Sequence, residues 1–252
     1  MQIARFVSDS QIRYGILDGE ELAVLTGDPM YAGFDPTGER VAVADAQLLA
    51  PVIPRSKVVG IGRNYRDHAA ELGNDVPEEP LVFLKPNTSV IGPGDAIVYP
   101  PTTSNLHFEG EIALVMGKVA RNVAAADALS HVFGITAAND VTARDLQKSD
   151  PQWTRGKGFD TFCPLGPVIQ TEFDADAIGV RTLLDGEVVQ DGTSADLVFD
   201  FGSLIEFVSS FTTLLPGDVI LTGTPAGVGA MQKGQTVTVE VEGVGTLSNT
   251  VQ

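Results

Sequence analysis

The chain is short of three things. It has one cysteine, Cys163, in 252 residues, which excludes an internal disulfide and any multi-cysteine metal site. It has no unbroken apolar run of about 18 residues, the length a membrane-spanning helix needs. It is also poor in positive charge, with 16 Lys and Arg against 33 Asp and Glu and a formal net charge of −17. Such a balance argues against nucleic acid or an anionic membrane as partner. The opening "MQIARFVSDSQIRYGILDGEEL" is patterned as strand and turn, without the apolar core of a secretory signal. Together these point to a cytoplasmic protein. Internal repeats and heptads are missing too, as are the Gly-Lys-Ser/Thr of a P-loop and the G-x-S-x-G of a serine nucleophile.

What is present is a globular chain, 43% hydrophobic and 19% charged, long enough to bury a substantial core. Short strand-like runs fill residues 1–52 and predict a small N-terminal β domain, followed by the linker "PVIPRS" and a main domain over 56–252. Strands are predicted at "KVVGIG", "LVFLKP", "AIVYPP", "GITAAN" and through the last third. There "LLDGEVV" places Asp-Gly at a hairpin turn. Helical signals are few: "NYRDHAAELG", "VTARDLQKSD" and "DFGSLIEFVSSFTTL". Regular strand–helix alternation is missing, so a mixed, β-rich α+β fold is expected.

The stretch "LHFEGEIALVMGK" carries the sharpest chemical signal. Read as one strand, it places Glu109 and Glu111 on the same face. Two adjacent carboxylates repel, and burying either unpaired is costly; a hard divalent cation such as Mg²⁺ or Mn²⁺ relieves both problems. The alternative is a solvated strand face. His107 shares that face, and its role stays open. Asp140 stands where "GITAAN" turns into a helix, as a third carboxylate ligand or as an N-cap. Thr142 and Asp145 are spaced for a capping box, which would free Asp140. Arg144 and Gln147 follow Asp140 on one helical stripe suited to a ligand carboxylate. His68 and Glu71, at i and i+3, can pair either as a general base acting on water or as a surface pair. Lys157, between two glycines in "TRGKGF", is placed to reach a substrate or is an ordinary loop residue. "LTGTPAGVG" offers backbone N–H groups and the Thr224 hydroxyl, or a set of turns. Cys163 precedes a proline without a histidine placed to activate it, which argues against a nucleophile.

In this order, "GRNYRDHAAE", "FLKP", "HFEGEIALVMGK", "NDVTARDLQ", "GKGFDTFCPLGP" and "ILTGTPAGVG" resemble the fumarylacetoacetate hydrolase family over residues 57–252, in its short bacterial form. The resemblance implies the family's β-roll, usually as a homodimer. It implies one Mg²⁺ or Mn²⁺ on Glu109, Glu111 and Asp140, catalysis by His68, Glu71 and Lys157, and substrate contacts from Arg63, Arg144, Gln147 and Thr224. The implied reaction is metal-dependent cleavage of a C–C bond in a small 2-oxo (di)acid through a stabilised enolate, by an oxaloacetate decarboxylase or an acylpyruvate or fumarylpyruvate hydrolase. The alternative is an isomerase of 2-hydroxyhepta-2,4-diene-1,7-dioate in aromatic catabolism. Residues 64–80 are expected to form a lid over the bound acid.

Overall fold

The run Gly110–Met116 is buried at every position, and its side chains divide between two cores with a period of two. Ile112, Leu114 and Met116 pack with Ile135, Leu204, Ile205 and Val208. Ala113 and Val115 face the other way, against Val58, Ala138, Leu165 and Val219. A strand covered on both faces reads as a continuous apolar run, which is why this segment is so hydrophobic. The computed structural model describes residues 1–67 and 77–252.

This strand lies in a twelve-stranded sheet. The order along its main path is Pro36–Ala42, Glu21–Leu25, Gln11–Asp18, Gln2–Ser8, Cys163–Gln170, Val132–Asn139, Gly110–Met116, Val219–Leu221, Val58–Gly62, Leu81–Lys85. Gln2–Ser8 pairs antiparallel with Cys163–Gln170, Ile3 opposite Ile169, so residues 1–52 extend the sheet of the main part of the chain. A four-stranded sheet holds Glu187–Thr193, Gly179–Leu184, Thr236–Val241 and Gly245–Thr250. A three-stranded one holds Thr142–Ala143, Leu106–Phe108 and Gly229–Ala230. The architecture is the mixed, sheet-dominated α+β fold expected.

The Asp-Gly hairpin forms as its chemistry requires: Asp185 and Gly186, at φ 51° and 89°, occupy the left-handed region of the two-residue turn. The helix Phe201–Phe211 is capped by Asp200, whose side chain accepts from the Ser203 amide at 2.7 Å. It buries Phe201, Leu204, Ile205 and Val208, the i, i+3, i+4, i+7 stripe, each contributing about 1.5–3 kcal/mol of transfer free energy. "AIVYPP" differs from expectation: Ile97 makes an isolated bridge to Val251, and Pro100 and Pro101 lack the amides a longer ladder needs. Among the described residues no helix is long and apolar enough to cross a membrane.

Candidate active site

Sheet register brings the acidic residues together. Gly110–Met116 runs antiparallel to Val132–Asn139, with Gly110 opposite Asn139 and Glu111 opposite Ala138. Asp140 therefore leaves its strand beside Glu109, and its amide donates to the Glu109 carbonyl at 2.8 Å. The strand predicted across 106–118 is two strands: Leu106–Phe108 belongs to the three-stranded sheet and Gly110–Met116 to the large one, with the break at Glu109. Gly110 stands where the chain changes sheets, and a Cβ there would lie 1.9 Å from Thr182 Oγ1. Despite the break the carboxylates converge. Oxygens of Glu109, Glu111 and Asp140, all buried, lie within 4.8 Å of one another.

Three cations surround them. Lys157 Nζ donates to Glu109 Oε2 at 2.8 Å and to Asp140 Oδ2 at 2.5 Å. Arg144 Nη2 donates to Glu109 Oε1 at 2.5 Å, and Lys85 Nζ to Asp140 Oδ1 at 2.5 Å. Glu111 is held differently, by the Gly223 amide at 2.7 Å from Oε2. Its carboxyl is pushed well above the usual range by burial and by the charges of Asp140 and Glu109, which outweigh Lys157 and the Gly223 N–H. Burial disfavours the Lys157 ammonium, but Asp140 and Glu109 reverse the balance and raise its pKa. Its ammonium is thus held between two carboxylates at the floor of the site. Burial pushes the Cys163 thiol up to about 12, which disfavours the thiolate that a nucleophile needs.

A cavity of about 280 Å³ opens over this floor, lined by Glu109, Glu111, Arg63, Arg144, Gln147, Lys157 and Thr224. All the substrate-side residues singled out from the sequence are therefore brought to one place. Arg63 adopts φ 57°, in the left-handed region, a conformation that costs a non-glycine residue free energy and concentrates at functional sites. Lys157 corrects one expectation. It is not an ordinary loop residue: it ends the helical turn Thr154–Lys157 and is 2% exposed. A Cβ on Gly156 would meet the Gln147 amide nitrogen at 2.8 Å, so the glycine serves close packing between this turn and the helix Arg144–Ser149.

That helix is shorter than predicted. Thr142 and Ala143 pair as a strand with His107 and Leu106, so Asp140 stands outside the helix, and Arg144 and Gln147 share it, 2.7 Å apart from Nη1 to Oε1. The capping box does not form, because Thr142 Oγ1 donates to the Asp140 carbonyl and Asp145 accepts from Thr103 Oγ1 and Ser104 N. His107 Nε2 is 2.9 Å from Asn105 Oδ1. His68 and Glu71 lie outside the described residues, as does the 68–76 part of the expected lid. Lys85, Lys148 and Trp153 went unassigned in the sequence. Lys148 and Trp153 line the cavity. The signal for Lys85 was a lone lysine closing the apolar strand Leu81–Lys85.

The donor set fits a hard divalent ion, being three carboxylates that approach from different backbone positions with their charge gathered at one point. The sheet-rich fold thus carries an acidic cluster beneath a cation-lined cavity. The comparisons name its family. The fumarylacetoacetate (FAA) hydrolase C-terminal profile matches residues 57–252, and the Rv2993c-like N-terminal profile matches residues 1–51. The chain belongs to the fumarylacetoacetate hydrolase family, as its motifs indicated. It is 44% identical over 220 residues to the human mitochondrial oxaloacetate tautomerase FAHD2A, covering 82% of this chain and 70% of that protein. A solved 5-carboxymethyl-2-hydroxymuconate delta-isomerase from Mycobacterium smegmatis superposes with a TM-score of 0.92 at 44% identity, over 100% of this chain and 99% of the other. A fumarylacetoacetate hydrolase from Exiguobacterium antarcticum gives 0.90 at 36% identity, over 100% and 99%.

Proposed function

We propose that the chain is a Mg²⁺- or Mn²⁺-dependent enzyme that cleaves a C–C bond of a small 2-oxo (di)acid, as an oxaloacetate decarboxylase or an acylpyruvate or fumarylpyruvate hydrolase. In this reading residues 56–252 form the catalytic domain and residues 1–52 a small β domain. The observation that carries it is the convergence of Glu109, Glu111 and Asp140 beneath a cavity lined by Arg63, Arg144, Lys148 and Lys157. In a chain of net charge −17, cations gathered at one cavity favour a small anionic ligand. Glu109, Glu111 and Asp140 would hold the ion. When bound, it would supply Lewis acidity to the keto and carboxylate oxygens of a chelating 2-oxo acid.

The chain's own groups do the rest. Arg144, fixed between Glu109 and Gln147, orients a carboxylate at the cavity wall. Lys157 places its ammonium where negative charge develops as the C3–C4 electrons move toward the keto oxygen. Decarboxylation needs only this electron sink. Hydrolysis of an acylpyruvate also needs a base to take a proton from water, the role proposed for His68 oriented by Glu71.

The second reading is an isomerase or tautomerase, relocating a proton along the enol or dienol system of the 2-oxo acid without C–C cleavage. It is supported by the similarity to the human tautomerase and the mycobacterial isomerase. One experiment separates the readings. The protein with Mn²⁺ or Mg²⁺ is given oxaloacetate, acetylpyruvate, fumarylpyruvate and 2-hydroxyhepta-2,4-diene-1,7-dioate, and products are followed by proton NMR. Release of CO₂ or of a second acid supports cleavage. Keto–enol equilibration or double-bond migration with all carbons retained supports the second reading. No turnover of any of them defeats both.

A further inference from the structure

Gly110, between Glu109 and Glu111, is held by a side chain from a distant hairpin. Gln190 lies in the strand Glu187–Thr193 and is 1% exposed. Its Oε1 accepts from the Gly110 amide at 3.0 Å. Its Nε2 donates to Thr224 Oγ1 and to the Pro225 carbonyl, both at 2.7 Å. Thr224 Oγ1 in turn donates to the Gly110 carbonyl at 2.8 Å. Gly110, Gln190 and Thr224 thus close a ring of hydrogen bonds. The partners fix the amide's orientation, since a flipped Gln190 would set NH₂ against the Gly110 N–H and oxygen against the Pro225 carbonyl.

The ring joins three separate pieces of chain: the acidic segment, the hairpin, and the loop following Val219–Leu221. That loop also presents the Gly223 amide to Glu111 Oε2. Movement at Gly110 would shift both carboxylates, one on either side, and movement of the loop would shift Thr224 and the Gly223 donor. A Cβ on Gly110 would run into Thr182 Oγ1, so position 110 has no side chain of its own to anchor it.

We propose that Gln190 is a positioning residue: it sets the separation of the Glu109 and Glu111 carboxylates and seats Thr224 at the cavity wall. The inference rests on reading this site as a metal-dependent catalytic centre. A merely structural Gln190 would affect stability and leave the folded site unchanged.

The test compares Gln190→Met, which keeps the length and removes all three bonds, with Gln190→Glu, which keeps an acceptor for Gly110 and loses both donations. Three quantities are measured: the Mn²⁺ dissociation constant by titration calorimetry, kcat and KM on whichever 2-oxo acid the wild type turns over, and amide hydrogen exchange over 109–112 in the metal-free protein. For Gln190→Met, Mn²⁺ affinity should fall about tenfold and kcat by about 10–100-fold, the scale for groups that orient metal ligands. Exchange at 109–112 should speed up while that of the helix 201–211 stays as in the wild type. Gln190→Glu should fall between. Wild-type exchange and Mn²⁺ affinity in a folded variant would overturn the proposal, and so would loss of the fold in both variants. A wild type that binds Mn²⁺ but turns over no 2-oxo acid would instead defeat the proposed function, leaving the exchange and affinity arms to decide the role of Gln190.

Discussion

Lys85 Nζ lies 2.5 Å from Asp140 Oδ1, and the two side chains are 0% and 1% exposed. The other oxygen of Asp140 faces Lys157. Lys85 thereby holds one edge of the carboxylate and leaves the other turned toward Glu109 and Glu111. Removing one partner of a buried pair leaves the other charge uncompensated, at a cost of about 3–5 kcal/mol. Lys85→Met should therefore lower the urea midpoint of the metal-free protein and weaken Mn²⁺ binding. A melt and an affinity equal to wild type would show that Asp140 needs no such support.

Glu111 should behave in the opposite way. Burial and its acidic neighbours raise its pKa, so its ionised form opposes folding. Glu111→Gln removes that charge and nearly keeps the shape. The metal-free variant should melt at or above the wild-type temperature, while Mn²⁺ affinity falls by more than the roughly 10–100-fold typical of outer-sphere losses. Calorimetry on both proteins reads the two effects side by side. A destabilised variant with intact metal binding would remove Glu111 from the ligand set.

His68→Ala separates the chemistries. Water attack needs a positioned base, and its loss should slow acylpyruvate hydrolysis by on the order of 10²-fold or more. Decarboxylation relies on the electron sink and should be slowed less, whereas Lys157→Ala should harm both. Values of kcat at saturating metal, for two substrates and both variants, test this. Equal, small losses with His68→Ala would exclude it as the base.

Asp218 predicts an acid limb in stability. Burial raises its pKa, but donation from Lys57 Nζ at 2.7 Å, from Ser56 and from the Leu215 amide outweighs this and holds it low. The folded pKa is below the unfolded value of about 3.9. The stabilisation is therefore complete above that pH and lost as pH falls through the folded pKa. Asp218→Asn should lower the melting temperature at pH 7 and flatten the wild-type decline below about pH 4. An unchanged slope would assign the acid limb to other groups.

The sequence by itself determined the chemistry on offer. Glu109, Glu111, Asp140, Arg144 and Lys157 were legible because side-chain charge is a property of residue type, and burying such charges among apolar runs demands a partner. The sheet-rich class was legible from strand lengths, and the family from six motifs in order. Tertiary structure alone decided which groups meet. Register placed Asp140 beside Glu109 across some thirty residues of chain. Packing of the elements against one another carried Lys85 to Asp140 and Gln190 to Gly110, contacts 55 and 80 residues apart in sequence. Register also took Thr142 out of the helix, because pairing with His107 satisfied its backbone as a strand, where local spacing had suggested a cap. Local propensity describes a few residues at a time, whereas the distance between two side chains in different strands depends on how every intervening strand pairs.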